Sequence, residues 1–334
     1  MLIHSLPDER NAANGCSQLV HVCADLKPHE SAIIISDHTT KHLGVQLAAA
    51  AATVSSHVIH KTIAPAAMHG KEPTDEVANL MANANVIFGI TSMSMAHTAA
   101  RYEATQKGAR YLSLPDYTTE LLKRPALYVD FRKISPIADR LARLFTVANK
   151  IRITTELGSD VVLTISGRTG NSAPGWCYAP GVLSSPPDAE ANVPPVETET
   201  TGVLIVDGSI PCAELGLLQS PIALTLKGGK IIGIEGQHSA VLEALFERFQ
   251  NDAVRVAAEF GIGLNPAAEL IGSMLEDEGC LGTIHIGFGS NITIGGKNKV
   301  PFHLDTIVRN ASIYVDDEII MEKGTLSPLY AGNE

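Results

Sequence analysis

Ala32-Ile33-Ile34-Ile35-Ser36-Asp37-His38-Thr39-Thr40 begins as an uninterrupted apolar run and ends in polar residues. An apolar run without alternation reads as a strand buried on both faces, which is the texture of a parallel sheet. An alanine-rich helix is expected next over residues 41–55, and a second strand over 56–61. Strand, helix and strand in that order form a parallel crossover, and open parallel sheets gather ligands at the carboxyl ends of their strands. The Asp37/His38 tip is therefore a candidate pocket edge, with helix N-capping as the competing role for Asp37.

The same pattern continues on both sides. Residues 12–25 carry apolar positions at helical spacing and stop before Lys27-Pro28. A helix over 73–84 leads to the strand Asn85-Val86-Ile87-Phe88-Gly89-Ile90, and a further strand is expected over 111–114. Between these strands, His97 and Arg101 stand four residues apart, a spacing that sets both on one helix face to meet a ligand; a surface helix supplies it by chance as well. No GxGxxG or Walker-type loop follows any of these strands, so no nucleotide cofactor is expected.

Beyond a helix over 137–150 the texture changes. Short strands at 151–155, 161–166, 202–206, 222–226 and 230–235 are separated by Gly, Pro, Asn and Asp, as in antiparallel sheets. Residues 171–195 are rich in Gly, Pro and Ser and read as a long loop, and one more helix is expected over 239–258. The expected architecture is an α/β, Rossmann-like domain with an open, largely parallel sheet over 1–150. An α+β domain with mainly antiparallel strands over 151–334 carries the metal site.

Composition bounds the function. A chain of 334 residues that is 45% hydrophobic and 18% charged has material for two cores. A net charge of -11 with no basic stripe argues against nucleic acid as a partner. No stretch approaches a membrane span, and residues 1–10 lack the basic and apolar regions of a secretory signal, so a cytoplasmic protein is the expectation. Cys16, Cys23, Cys177, Cys212 and Cys280 include no CxxC pair and read as reduced thiols.

The chemistry is concentrated in the second half, where five side chains stand out: Glu197, Glu259, His285, His303 and Asp305. His303 and Asp305 are two apart, so a strand points both to one face. His285, between Ile284 and Ile286, faces away from its apolar neighbours, and the Gly295-Gly296 turn separates it from the His-x-Asp pair. Imidazole and carboxylate without thiolate suit divalent Zn, Mn, Co or Fe(II). Two alternatives stay open. The full set suits two ions sharing a hydroxide for amide hydrolysis, whereas His285, His303 and Asp305 alone form the facial triad of a non-haem Fe(II) oxygenase.

The run from Glu276 through Thr283-Ile284-His285-Ile286-Gly287-Phe288-Gly289 to His303-Leu304-Asp305, with Glu197 after Pro194-Pro195 and Glu259 before Phe260-Gly261-Ile262-Gly263, resembles the aminopeptidase T-type, thermophilic leucyl-aminopeptidase family of metallopeptidases. That resemblance implies a site of one or two ions on Glu197, Glu259, His285, His303 and Asp305, and a hydrolase of amide or peptide bonds. Glu259 or Glu197 would relay a proton, and His97 and Arg101 would bind a small molecule or short peptide; a homo-oligomer is also implied. The family's tyrosine shortly after the first histidine is Ile292 here.

The last 75 residues also resemble the 2,5-dihydroxypyridine 5,6-dioxygenase family, through Gly295-Gly296-Lys297-Asn298-Lys299-Val300-Pro301-Phe302-His303-Leu304-Asp305 and Arg309-Asn310-Ala311-Ser312-Ile313-Tyr314-Val315-Asp316-Asp317. That similarity implies one Fe(II) and ring cleavage, with a histidine where this chain has Glu259 and no counterparts of Glu197 and His285. Ranking ligand identity above loop similarity makes the hydrolase the leading expectation, the ring-cleaving dioxygenase the alternative, and non-catalytic metal binding the third.

Overall fold

The computed structural model describes residues 10–331. The segment in which no secretory signal was read lies, up to residue 9, outside the described residues. The chain divides into two compact units, but not at residue 150. One holds the described residues up to Phe131 together with Gly175–Pro187, and the other holds Arg132–Pro174 and everything from Asp188 onward. The expected 171–195 loop is thus an excursion between units, and it carries strands of its own at Asn171–Ala173, Leu183–Ser184 and Glu190–Val193.

The first unit is built on a five-stranded parallel sheet in the order Val58–Ile63, Ala32–Asp37, Val86–Ile90, Arg110–Ser113, Leu183–Ser184. Every residue of Ala32–Asp37 and Val86–Ile90 is buried, which is why these strands read as continuous apolar runs. The crossovers leaving these two neighbours run in opposite directions along the sheet through helices Lys41–Ala52 and Ala99–Gln106, so their carboxyl ends form the switch point of the sheet. Asp37 does not cap a helix there. Its carboxylate accepts from the Thr39 and Thr40 amides at 2.8 and 3.1 Å and from the Ser92 amide at 2.6 Å, tying the two strand ends together.

The second unit holds two antiparallel sheets. Eight strands, among them Lys150–Thr154, Asp160–Thr164, Thr201–Val206, Ile222–Lys227 and Lys230–Gly236, form the first. The second has seven strands in the order Gly216–Leu217, Ser209–Ile210, His303–Arg309, Thr283–Gly289, Ala257–Gly263, Glu190–Val193, Asn171–Ala173. Helix Phe131–Val147 buries the stripe Ile134, Ala138, Leu141 and Phe145, and the Phe145 ring meets Phe260 edge-on at 5.8 Å.

The helix expected over 239–258 ends at Glu247. Gln250 turns left-handed at φ 49°, Asn251 caps a short turn at Asp252–Arg255, and the chain then enters the strand Ala257–Gly263. The apolar spacing of Val254, Val256 and Ala257 continues a helical period, which hid the strand that carries Glu259.

The Asp37 bridge makes a stability prediction. Burial alone would raise this carboxyl, but hydrogen bonds from Ser92 and Thr39 hold it well below the usual carboxylate range. The stabilisation is therefore present above the unfolded-state pKa of about 3.9 and fades as pH falls towards the lower folded value. Asp37→Asn is expected to cost about 2 kcal/mol at pH 7 in urea unfolding, with the deficit shrinking below pH 4. A deficit independent of pH would contradict the assignment.

Candidate metal centre

Two central strands of the seven-stranded sheet, Thr283–Gly289 and, from Glu259 onward, Ala257–Gly263, alternate between an apolar face and a face of polar residues and glycines. Phe260 and Ile262 on one strand, with Ile284, Ile286 and Phe288 on the next, are fully buried. The intervening positions are Glu259, Gly261 and Gly263, then His285, Gly287 and Gly289, which share the opposite face. Register brings each polar residue beside a glycine: Glu259 pairs with Gly287, Gly287 with Asp305, Gly261 with His285, Gly289 with His303 and Gly263 with Glu190.

The glycines leave the space into which the ligand side chains lean. A Cβ at Gly261 would lie 2.2 Å from His285 Nε2 and 2.7 Å from Glu190 Oε2. At Gly287 it would lie 2.7 Å from Asp305 Oδ1 and 2.8 Å from His303 Nε2. Two groups of donor atoms result, Glu190/Glu259/His285 and Glu259/His303/Asp305, each within 4.8 Å and each able to hold a metal ion, with Glu259 common to both. His303 Nε2 is 3.3 Å from both Glu259 Oε2 and Asp305 Oδ1, and His285 Nε2 is 3.0 Å from Glu190 Oε2 and 4.0 Å from Glu259 Oε1. A carbonyl can only accept, so the 2.9 Å contact to Ser290 O puts a proton on His303 Nδ1 and turns Nε2 towards the carboxylates.

The electrostatics call for a cation. Glu190, Glu259 and Asp305 are buried, as is Asp188 behind them, and Glu278 adds a further carboxyl. Burial and the neighbouring carboxylates push Asp188 and Glu278 well up, and burial raises Glu190. Burial also opposes charge on Asp305 and Glu259, yet the facing imidazoles hold both below the usual carboxylate range. His285 Nδ1 is buried with no hydrogen-bond partner among the described residues, while Glu190 Oε2 faces His285 Nε2 and Asp305 Oδ1 faces His303 Nε2. Buried carboxylate oxygens converging on imidazoles, a cradle that a methyl group would fill and a nitrogen-and-oxygen donor set without thiolate together fit a hard or borderline divalent ion.

The structure brings together four of the five expected ligands, Glu259, His285, His303 and Asp305. Glu197 is elsewhere. Its carboxylate is ion-paired with Arg168 and accepts from Asn291 Nδ2 at 3.1 Å and the Lys297 amide at 2.6 Å. Glu190 occupies the corresponding place in the cluster. The sequence offered one sign of it: both glutamates stand near a Pro-Pro pair, Glu190 after Pro186-Pro187 and Glu197 after Pro194-Pro195, and reading 171–195 as loop passed over the first. His97 and Arg101 belong to the first unit, and the helical spacing assigned to them does not hold. Thr98 is the N-cap of Ala99–Gln106, its side chain accepting from the Arg101 amide, so His97 lies before the helix. Arg101 Nε donates to the Ala96 carbonyl.

Three comparisons place these observations among known proteins. The sequence profile of the 2,5-dihydroxypyridine 5,6-dioxygenase family matches residues 13–328. A 2,5-dihydroxypyridine 5,6-dioxygenase from Pseudomonas putida KT2440 is 26% identical over 246 residues, covering 70% of this chain and 69% of its own. The solved structure of the 2,5-dihydroxypyridine dioxygenase from that strain superposes with a TM-score of 0.81 at 18% identity, covering 98% of this chain and all of the other. Wild-type AmpT from Thermus thermophilus superposes with a TM-score of 0.66 at 15% identity over 95% of this chain and 99% of its own, a likeness of fold. No described helix is long and apolar enough to cross a membrane.

The family match overturns the leading expectation of a peptide hydrolase, and with it the aminopeptidase and metalloprotease assignments. Ranking the ligand types above the loop sequence was the error, because the one fold is shared with both solved structures and donor types placed on it do not fix the reaction. This enzyme chain belongs to the 2,5-dihydroxypyridine 5,6-dioxygenase family.

Proposed function

We propose that the protein is a ferrous-iron-dependent dioxygenase that cleaves the ring of a dihydroxylated pyridine or a closely related N-heteroaromatic. The observation carrying this reading is the convergence of His303 Nε2, Glu259 Oε2 and Asp305 Oδ1 in a chain whose family profile runs from residue 13 to 328. The curated relative is a 2,5-dihydroxypyridine 5,6-dioxygenase, which supports a dihydroxypyridine as the substrate class.

Glu259, His303 and Asp305 are the residues that would hold the iron. The chemistry an iron ion supplies there is one-electron redox reactivity towards dioxygen and a Lewis-acidic site for substrate oxygens. The chain's own groups do the rest. Glu259 and Asp305 offset the ion's charge, and Ser290 fixes the His303 ring through Nδ1. His285 Nε2, 3.0 Å from Glu190 Oε2 and 4.0 Å from Glu259 Oε1, holds a proton between ring and carboxylate. That pair is the station to which a substrate hydroxyl would pass its proton as it ionises. Asn192 Nδ2 donates to Glu190 Oε1 at 2.7 Å and keeps the carboxylate turned towards His285.

Two experiments test the reading. After anaerobic loading with Fe(II), the protein is expected to consume dioxygen with 2,5-dihydroxypyridine in an oxygen-electrode assay, and His303→Ala should be inactive. Iron-loaded protein that takes up no oxygen with any dihydroxypyridine would sink the proposal. Gly287→Ala addresses the cradle, because the new Cβ must displace Asp305 and His303. Iron affinity should fall by roughly 10–100-fold with little change in melting temperature. Unchanged affinity in the alanine variant would show that these side chains do not hold the ion.

A further inference from the structure

The hairpin loop between Gly289 and His303, residues 290–302, is held by a network that none of the assigned site residues explains. Within the loop, the Asn291 amide donates to the Asn298 carbonyl at 3.1 Å, the Asn298 amide to Asn291 Oδ1 at 2.8 Å, and the Ser290 amide to the Phe302 carbonyl at 2.8 Å. Out of the loop, Asn298 Nδ2 donates to the Ala253 and Gly289 carbonyls at 2.8 and 2.6 Å. Glu197 and Arg168 close the network from the far side. Glu197 Oε1 accepts from Asn291 Nδ2 and from the Lys297 amide, Glu197 Oε2 is paired with Arg168, and Arg168 Nη1 reaches the Gly295 carbonyl at 3.4 Å.

The pair is built into the protein rather than laid on its surface. Arg168 is 9% exposed and Asn291 fully buried, so removing the carboxylate would strand a buried guanidinium and a buried amide. Ser290, next to Asn291, supplies the carbonyl that holds His303 Nδ1. A connected path thus runs from Glu197 by a hydrogen bond to Asn291, along the backbone to Ser290, and by a second hydrogen bond to the imidazole that faces Glu259 and Asp305.

We propose that Glu197 is a positioning residue of this site: with Arg168 it clamps loop 290–302, and the clamped loop aims His303 Nε2 at the metal position. The proposal rests on His303 being a ligand, as in the function above. Glu197 does not touch the ion or the substrate; it acts through Asn291 and Ser290 on the direction of one ring. Arg168 contributes the same constraint from the opposite side of the carboxylate and through Gly295.

The test uses the full-length chain, with Co(II) as a spectroscopic probe of the metal position and 15N NMR of the imidazole as a probe of His303 itself. In the metal-free protein, the His303 Nδ1 resonance should be that of a nitrogen hydrogen-bonded to the Ser290 carbonyl. Glu197→Ala should shift that resonance, lower Co(II) affinity by roughly tenfold and alter the Co(II) absorption bands. Glu197→Gln, which retains the Oε1 acceptor for Asn291 and Lys297, should recover most of the affinity. On a His303→Ala background, Glu197→Ala should produce no further loss. Arg168→Met provides a second variant with the same expected signature if Glu197→Ala does not fold. A folded Glu197→Ala protein with an unchanged His303 Nδ1 resonance and Co(II) affinity overturns the clamp, as does an equal loss on the His303→Ala background. Wild-type protein that binds no Co(II) counts against the metal reading, and the imidazole spectrum then decides the clamp alone.

Discussion

The constraint on which the site depends is the absence of side chains at Gly261 and Gly287. Each glycine lies in register with a ligand residue on the neighbouring strand, and each leaves the volume into which two ligand side chains bend. In a sheet, side chains on one face stand about 5 Å apart and normally rise in parallel. Convergence of two imidazoles and three carboxylates therefore requires gaps between them, and glycine at alternate positions supplies these without disturbing the apolar face. The cost is borne by the other side of the sheet, where Phe260, Ile262, Ile284, Ile286 and Phe288 bury enough apolar surface to hold glycine-rich strands in place.

The same strands distribute the ligands so that local changes affect the site separately. Glu259, at the register shift between Ala257 and Glu259, stands between the two imidazoles and belongs to both donor groups. His285 is buried in the sheet beside Glu190, whereas His303 begins its strand and depends on the preceding loop for its orientation. One half of the cluster is thus set by strand register and the other by the hydrogen bonds of residues 290–302. Burying acidic groups at this density is unfavourable without a compensating positive charge, which accounts for carboxyls such as Asp188 and Glu278 being driven towards their neutral forms.

How much of this could be read from the residues depended on whether the signal was local. The period-two spacing of His303 and Asp305, and the isoleucines flanking His285, are local, and they placed these side chains on one sheet face. The parallel sheet was readable because Ala32–Asp37 and Val86–Ile90 are buried along their whole length. Glu190 was not readable, because its strand is only four residues long, lies between two proline pairs and acquires meaning only by pairing with Ala257–Gly263. Choosing Glu197 in its place took a glutamate bound to Arg168, Asn291 and Lys297 for a member of the cluster. His97 was misplaced by a single residue of helix boundary, since the capping hydroxyl of Thr98 excludes it from the helix. The glycine cradle was visible as composition but not as function, because its role lies in register across strands. Activity was the least readable property: donor types alone are compatible with hydrolysis or oxygenation, and the family match separates them.

The central claim is that one iron ion sits where Glu259, His303 and Asp305 converge over Gly287. The most direct measurement is anomalous diffraction at the iron edge from crystals of protein loaded anaerobically with Fe(II). A single strong peak within bonding distance of His303 Nε2, Glu259 and Asp305 is the predicted result. An absent peak, or one lying away from these three side chains, would contradict the account.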